Sequence, residues 1–272
     1  MAIKGEWIRY GSETGYLARP EHAALPLPGV IVIQEIMGVD EHIEDVTRRV
    51  AAAGYTALAP ELYAKDGRRP DPLSRERFSE MMDAAQDLPP GSLMDPSRRD
   101  AALASLPEPR RGRIRETVTA MSAGFTPAGM EEFVRSLVLA CHALQNDRPE
   151  TKGRPVACVG FCMGGGLSAR LSCAEPTLAG AAVFYGTPPP AEMIAKTKVP
   201  VLAFYGELDQ RVNAGIPAFT DGMAQADREF EHHVYPGAMH GFFCEGRASY
   251  NADAARDSWV RLLEFFRRVL TG

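Results

Sequence analysis

The sequence predicts an α/β fold with a mostly parallel central sheet and helices on both faces. Three observations carry this expectation. The run Gly29-Val-Ile-Val-Ile33 is continuously apolar and β-branched, as in a strand buried on both sides of a parallel sheet. Strand-like and helix-like stretches alternate along most of the chain, as crossover connections require. Residues 160–164, Gly-Phe-Cys-Met-Gly, lie between the apolar run 156–159 and a helix-like stretch beginning near Met163. That is the pattern of a strand turning sharply into a helix, where side chains at the flanking positions would collide with neighbouring strands.

Taken in order, residues 6–19 read as a short antiparallel start with turn signals at Gly11-Ser12 and Gly15. After the strand at 29–33, Asp40 can cap a helix whose Ile43, Val46, Val50 and Ala53 share one face, and Gly54 closes it. The next strand, near 55–59, ends at Pro60. From about 65 to 129 the chain is rich in proline, arginine and methionine, and only 74–87 reads as helical. A stretch of that length is expected to be a cap or lid-like insertion within a single domain spanning 1–272. Met130, Phe133, Leu137, Cys141 and Leu144 then form one stripe of a long helix. Strands follow near 155–160, 179–185, 199–205 and 229–235, and a last helix from about Asn251 turns Trp259, Leu262, Leu263, Phe266 and Leu270 inward.

Composition bounds the function. A net charge of −5 argues against nucleic acid as the main partner. The N-terminus is not followed by a long apolar segment, and no run approaches the length of a membrane span, so a soluble, cytoplasmic protein is expected. Five cysteines without a C-x-x-C pair suit a reducing compartment better than a disulfide framework. The six histidines lack the spacing of a zinc site, and neither a metal nor another cofactor is expected. Nothing in the sequence sets an oligomeric state.

Three reactive residues share one grammar: each lies just beyond the carboxyl end of an expected strand, where open α/β sheets place their sites. Cys162 follows 155–160, Asp209 in Gly206-Glu-Leu-Asp209 follows 199–205, and His240 follows the strand ending at Tyr235. Each alone has a plainer reading, as a small core residue, a turn aspartate and a loop histidine. Together, in the order nucleophile, acid, histidine, they match the arrangement of an acyl-transfer triad. Glu35 is the second unusual feature, a charge at the end of a buried strand. It either caps the helix near Asp40 or faces the thiol. Gly164-Gly165-Gly166 lacks the Lys-Ser/Thr of a phosphate loop and reads as helix packing. Six arginines between Arg98 and Arg115 read as a solvated surface, with attraction of an anionic substrate as the alternative.

These residues give the chain its resemblance to the dienelactone hydrolase family of α/β-hydrolases. The matching motifs are Gln34-Glu-Ile-Met-Gly38, Ala59-Pro-Glu-Leu-Tyr63, Gly160-Phe-Cys-Met-Gly-Gly165, Tyr205-Gly-Glu-Leu-Asp209 and His240-Gly-Phe242. The resemblance implies an α/β-hydrolase fold, a small-molecule ester or lactone as substrate, and Cys162, Asp209 and His240 as the triad. By the same resemblance Glu35 is the carboxylate that contacts the resting thiol and yields to substrate, and the backbone N–H groups of Ile36 and Met163 form the oxyanion hole. The family holds a substrate carboxylate with an arginine four residues after the histidine, but this chain has Cys244 there and Arg247 three residues later. Arg75 and Arg77 lie where the family's other arginine is expected, without its accompanying tyrosine. The competing expectations are a ligand receptor on the same scaffold and a redox sensor pairing Cys162 with Cys158 or Cys244.

Overall fold

The computed structural model describes residues 2–89 and 91–271; Pro90, within the expected insertion, lies outside the described residues. The chain divides into two compact units, Met1–Leu62 with Val134–Gly272, and Tyr63–Phe133.

The first unit is built on an eight-stranded sheet. Its strands are β1 (Ile3–Tyr10), β2 (Glu13–Pro20), β3 (Gly29–Ile33), β4 (Thr56–Pro60), β5 (Val156–Phe161), β6 (Ala181–Phe184), β7 (Val201–Gly206) and β8 (Phe230–Tyr235), in the order β1-β2-β4-β3-β5-β6-β7-β8. β1 and β2 form a hairpin, β2 runs antiparallel to β4, and the remaining neighbours are parallel. The hairpin turns at Gly11, whose φ of 57° suits a residue without Cβ. Gly15 is not a turn residue. It pairs with Ile8 and Pro60 inside β2, where a Cβ would meet the Ala59 carbonyl oxygen at 2.6 Å, so close strand approach explains it.

Alternate residues of the buried strands serve two helical layers, which is why β3 has no polar face. Val30 and Val32, with Ala57, Ala59, Ala157 and Val159, share a core with Val46 and Val50 of α1 (Glu41–Ala52) and with Leu262 and Phe266 of α10 (Ala252–Leu270). The opposite face receives α6 (Met163–Ala174), where Ser168 Oγ lies 3.1 Å from Cys158 Sγ and donates to the Ala182 carbonyl at 2.8 Å. Asp40 caps α1 by accepting from Ile43 N at 3.0 Å, as its sequence signal requires. Ala53 departs from the expected stripe, because it is the exposed C-cap and Thr47 and Ala51 are buried instead. α10 follows its expected face, with Leu262, Phe266 and Leu270 buried and Trp259 and Leu263 packed half-buried on the core. Full burial of one such side chain contributes about 1.5–3 kcal/mol, so the apolar stripe rather than the arginines anchors this helix. The short helices α7 (Ala191–Ile194) and α8 (Gln210–Asn213), with α9 (Ile216–Gln225), complete the connections. Among the described residues no helix is long and apolar enough to cross a membrane.

The second unit overturns the expectation that only 74–87 is helical. It contains α2 (Arg75–Asp87), α3 (Pro96–Leu103) and α4 (Arg110–Ala123), and the chain leaves it through α5 (Pro127–His142). The buried stripe of α4 is Ile114, Thr117, Val118 and Met121. Its helical spacing is hidden in the sequence by a threonine in the apolar position and by Gly112 and the nearby prolines. The unit is held by Tyr63, stacked on Phe78 with ring centroids 5.6 Å apart, and by ions between helices. Arg113 of α4 pairs with Glu80 of α2 and Arg115 of α4 with Asp100 of α3 at 3.1 Å, while Arg111 pairs with Glu108, just ahead of its own helix, at 2.8 Å. These members of the arginine cluster are engaged in surface ion pairs, the solvated reading.

Candidate active site

Strand order places the site. From β3 the chain crosses one way to β4 and later returns past β3 to β5, so the sheet has its topological switch between β3 and β5, where open α/β sheets bind ligands beyond their carboxyl ends. Cys162 immediately follows β5. Ile33 pairs with Gly160, so counting two residues along both strands brings Glu35 level with Cys162.

The turn at Cys162 is strained, with φ 54° and ψ −114° at a residue that is not glycine. Its neighbours explain how the chain makes that turn. A Cβ on Gly160 would sit inside the Gly164 carbonyl, and one on Gly164 would press into the carbonyls of Ile33 and Gln34. A Cβ on Gly165 would lie 2.6 Å from the Phe184 carbonyl oxygen. The glycines therefore let α6 start directly over the strand ends, with Met163 as its first residue and Cys162 at the N-terminus, where the helix dipole favours a thiolate. Gly164→Ala is expected to lower stability by about 2–3 kcal/mol. Urea unfolding would measure it, and an unchanged midpoint would contradict this account of the turn.

The loop after β3 is tied from beneath. Gln34 Oε1 accepts from Leu62 N at 3.0 Å and Glu61 Oε2 accepts from Val39 N at 3.3 Å, which secures the 34–39 turn carrying Glu35 and Ile36. Gly38 closes that turn with φ 82° and donates to the Glu35 carbonyl at 3.2 Å. The Pro-Glu-Leu motif after β4 is thus structural support, a role that its sequence did not announce.

Asp209 and His240 come from loops laced together at the ends of β7 and β8. Leu208 N donates to the Ala238 carbonyl at 3.0 Å and Gly237 N to Glu207 Oε2 at 2.8 Å. His240 Nδ1 lies 2.5 Å from Asp209 Oδ2, and Asp209 is only 9% exposed. Burial alone would lower the His240 pKa, but the hydrogen bonds to Asp209 and to Cys162, with their negative charge, overcome it and push the pKa up to about 10. The three expected residues therefore converge, and the imidazole holds its proton between a carboxylate and the thiol.

Glu35 is 1% exposed and does not cap α1, since Asp40 does. Its Oε2 is paired with Arg247 Nη2, and its Oε1 accepts from the Tyr185 hydroxyl at 3.2 Å. Arg247 stands on the loop between His240 and α10, its guanidinium crossing Gly241, where a Cβ would lie 3.4 Å from Nη1. It carries its charge beside Glu35, Cys244, Tyr185 and Cys162. The other two expected arginines belong to the helical unit. Arg75 opens α2 and is exposed. Arg77 pairs with Glu116 at 2.5 Å and with Asp71 at 3.4 Å, and donates to Thr117 Oγ1 and the Arg113 carbonyl, so its guanidinium is used in joining α2 to α4.

Tyr185 was missed by sequence reasoning. Its signal is visible in retrospect: Phe184-Tyr-Gly186 at the end of β6 repeats Phe204-Tyr-Gly206 at the end of β7. The two cysteines weighed as redox partners of Cys162 are both buried. Burial pushes the Cys158 thiol up to about 12, inside β5 under α6, and raises the Cys244 thiol, although Arg247 partly opposes that.

A model of the dienelactone hydrolase family matches residues 14–270. A carboxymethylenebutenolidase homologue from Saccharolobus solfataricus is 34% identical, over 93% of this chain and 93% of its own length. Another, from Synechocystis sp., is 33% identical over 94% of this chain and 92% of its own. The crystal structure of a dienelactone hydrolase homologue from Klebsiella pneumoniae superposes with a TM-score of 0.70 and 26% identity, covering 98% of this chain and 99% of that one.

Proposed function

The chain belongs to the dienelactone hydrolase family and is a hydrolase of that kind, and from this premise we propose that it cleaves a carboxylic ester or enol-lactone through a Cys162-His240-Asp209 triad and a thioester. The observation that carries the reading is the His240 ring, bonded to Asp209 on one side and to Cys162 on the other. Asp209 sets the tautomer and stabilises the imidazolium. His240 holds the proton lost by the thiol, and Cys162 Sγ attacks the acyl carbon.

The oxyanion is received by the N–H groups of Met163 and Ile36, each such donor contributing about 2.7–4 kcal/mol to the transition state. When the tetrahedral intermediate collapses, the C–O bond to the leaving group breaks and His240 gives its proton to the departing oxygen. Neutral His240 then takes a proton from water, whose oxygen attacks the thioester, and collapse of the second tetrahedral intermediate breaks the C–S bond, releasing the carboxylic acid and returning Cys162 as a thiolate beside protonated His240.

Glu35 and Arg247 extend the reading to a substrate class. A carboxylate on the substrate competes with Glu35 for Arg247, so an acidic ester or lactone is the substrate class that the site would receive. A thiol nucleophile also needs a reducing compartment, which accords with the cytoplasm.

The test is intact-protein mass spectrometry after brief exposure to activated esters. An acyl adduct on Cys162 should form and turn over in the wild type, persist in His240→Ala and be absent in Cys162→Ala. Failure of the wild type to form an adduct or turn over any ester or lactone would overturn the proposal.

A further inference from the structure

Among the described residues, four that are not glycine have positive φ, and two of them end adjacent strands. One is Cys162 after β5; the other is Tyr185, φ 41°, after β6. A non-glycine residue in that region costs about 1–3 kcal/mol unless its surroundings compel it. At Tyr185 they do. Its N–H donates to the Phe204 carbonyl at 2.8 Å, and a Cβ on the next residue, Gly186, would be driven into the backbone of Gly165 and Gly166. The chain is thus turned against the nucleophile's own helix, and the phenol is swung out of the strand's alternation.

That phenol is 1% exposed and touches two parts of the site. Its hydroxyl donates to Glu35 Oε1 at 3.2 Å, and its ring meets the His240 ring edge-on with centroids 5.0 Å apart. Burial, with the negative charges of Glu35 and Cys162, raises its pKa well above that of a free phenol, so it remains a donor. We propose that Tyr185 is a positioning residue for the Glu35 carboxylate, holding one oxygen so that the other stays on Arg247 and away from Cys162, while its ring sets the plane of His240. This rests on Cys162 being the nucleophile. The other charged or titratable groups around the carboxylate are Arg247 and Cys244 after β8, Asp40 and His42 at the start of α1, and Cys162 itself.

Without the hydroxyl, Glu35 is free to turn toward the thiol, hydrogen-bond it in its protonated form and oppose the thiolate. Tyr185→Phe removes only that hydroxyl and keeps the ring. The measurement is the rate of Cys162 alkylation by iodoacetamide against pH, read on the Cys162 peptide by mass spectrometry, which needs no ester turnover. Loss of a hydrogen bond to a charged group should move the midpoint upward by about one pH unit, a tenfold change in rate below it. In a Glu35→Gln background the same Tyr185→Phe change should have no effect. An unchanged or lowered midpoint, or the same shift in the Glu35→Gln background, would overturn the proposal. If the shift appears but no acyl adduct forms with any ester, Tyr185 keeps its role and the hydrolytic mechanism falls.

Discussion

Asp209→Asn is expected to lower kcat by about four orders of magnitude without unfolding the protein. The amide fits the space of the carboxylate at the end of β7, but it cannot accept the Nδ1 proton while also stabilising the positive ring. In the wild type that bond, 2.5 Å long, and the one to Cys162 lift the His240 pKa to about 10 against the opposing effect of burial. Removing the carboxylate leaves burial opposed only by Cys162 and should bring the titration of His240 down, which histidine NMR would follow. A linked effect on stability has a definite sign. Because the folded pKa lies above the usual value, the stabilisation from protonated His240 is complete below about pH 6.5 and is lost as pH rises through about 10. Wild type should therefore lose more stability than Asp209→Asn across that window. Equal losses, together with an unaltered kcat, would remove Asp209 from the triad.

Arg247→Met should destabilise the protein by about 3–5 kcal/mol near neutral pH, because it strands a buried carboxylate rather than merely deleting a surface ion pair. Glu35 is 1% exposed, and without Arg247 it retains one hydrogen bond, from Tyr185. The guanidinium is itself 32% exposed, so the penalty lies on the side of the acid left behind. Two consequences distinguish this from loss of packing. The defect should ease as pH falls, since protonating Glu35 removes the uncompensated charge, and Glu35→Gln should rescue most of it in the double variant. Chemical denaturation of the four proteins of the cycle measures this, and purely additive effects would show that the pair is not coupled. In the rescued variant, kcat/KM should fall more for acidic esters than for neutral ones if Arg247 receives the substrate's carboxylate.

The sheet and the three converging residues were legible because their signals are local. A continuous β-branched run reports burial on both faces, and a cysteine with glycines two positions away on each side reports a backbone that can bend only if neighbouring carbonyls meet no side chain. Asp209 and His240 were legible from their places at strand ends. The helices of the second unit were harder to see, since α4 puts Thr117 in its buried stripe and depends on partners in α2 such as Arg77 and Glu80. For the same reason Arg77, a plausible anion binder by position, proves to be committed to its own unit.

By itself, then, the sequence determined the class of fold, the strained turn at Cys162 and the order of the three residues proposed as the triad, because φ, hydrophobic period and close backbone approach act over a few neighbouring residues. Only the tertiary structure decided the partners of Glu35. Tyr185 is 150 positions away from it and Arg247 is 212, and no spacing rule spans such intervals. They meet because separate loops of one parallel sheet end at the same edge, where a buried carboxylate requires both a donor and a counter-charge.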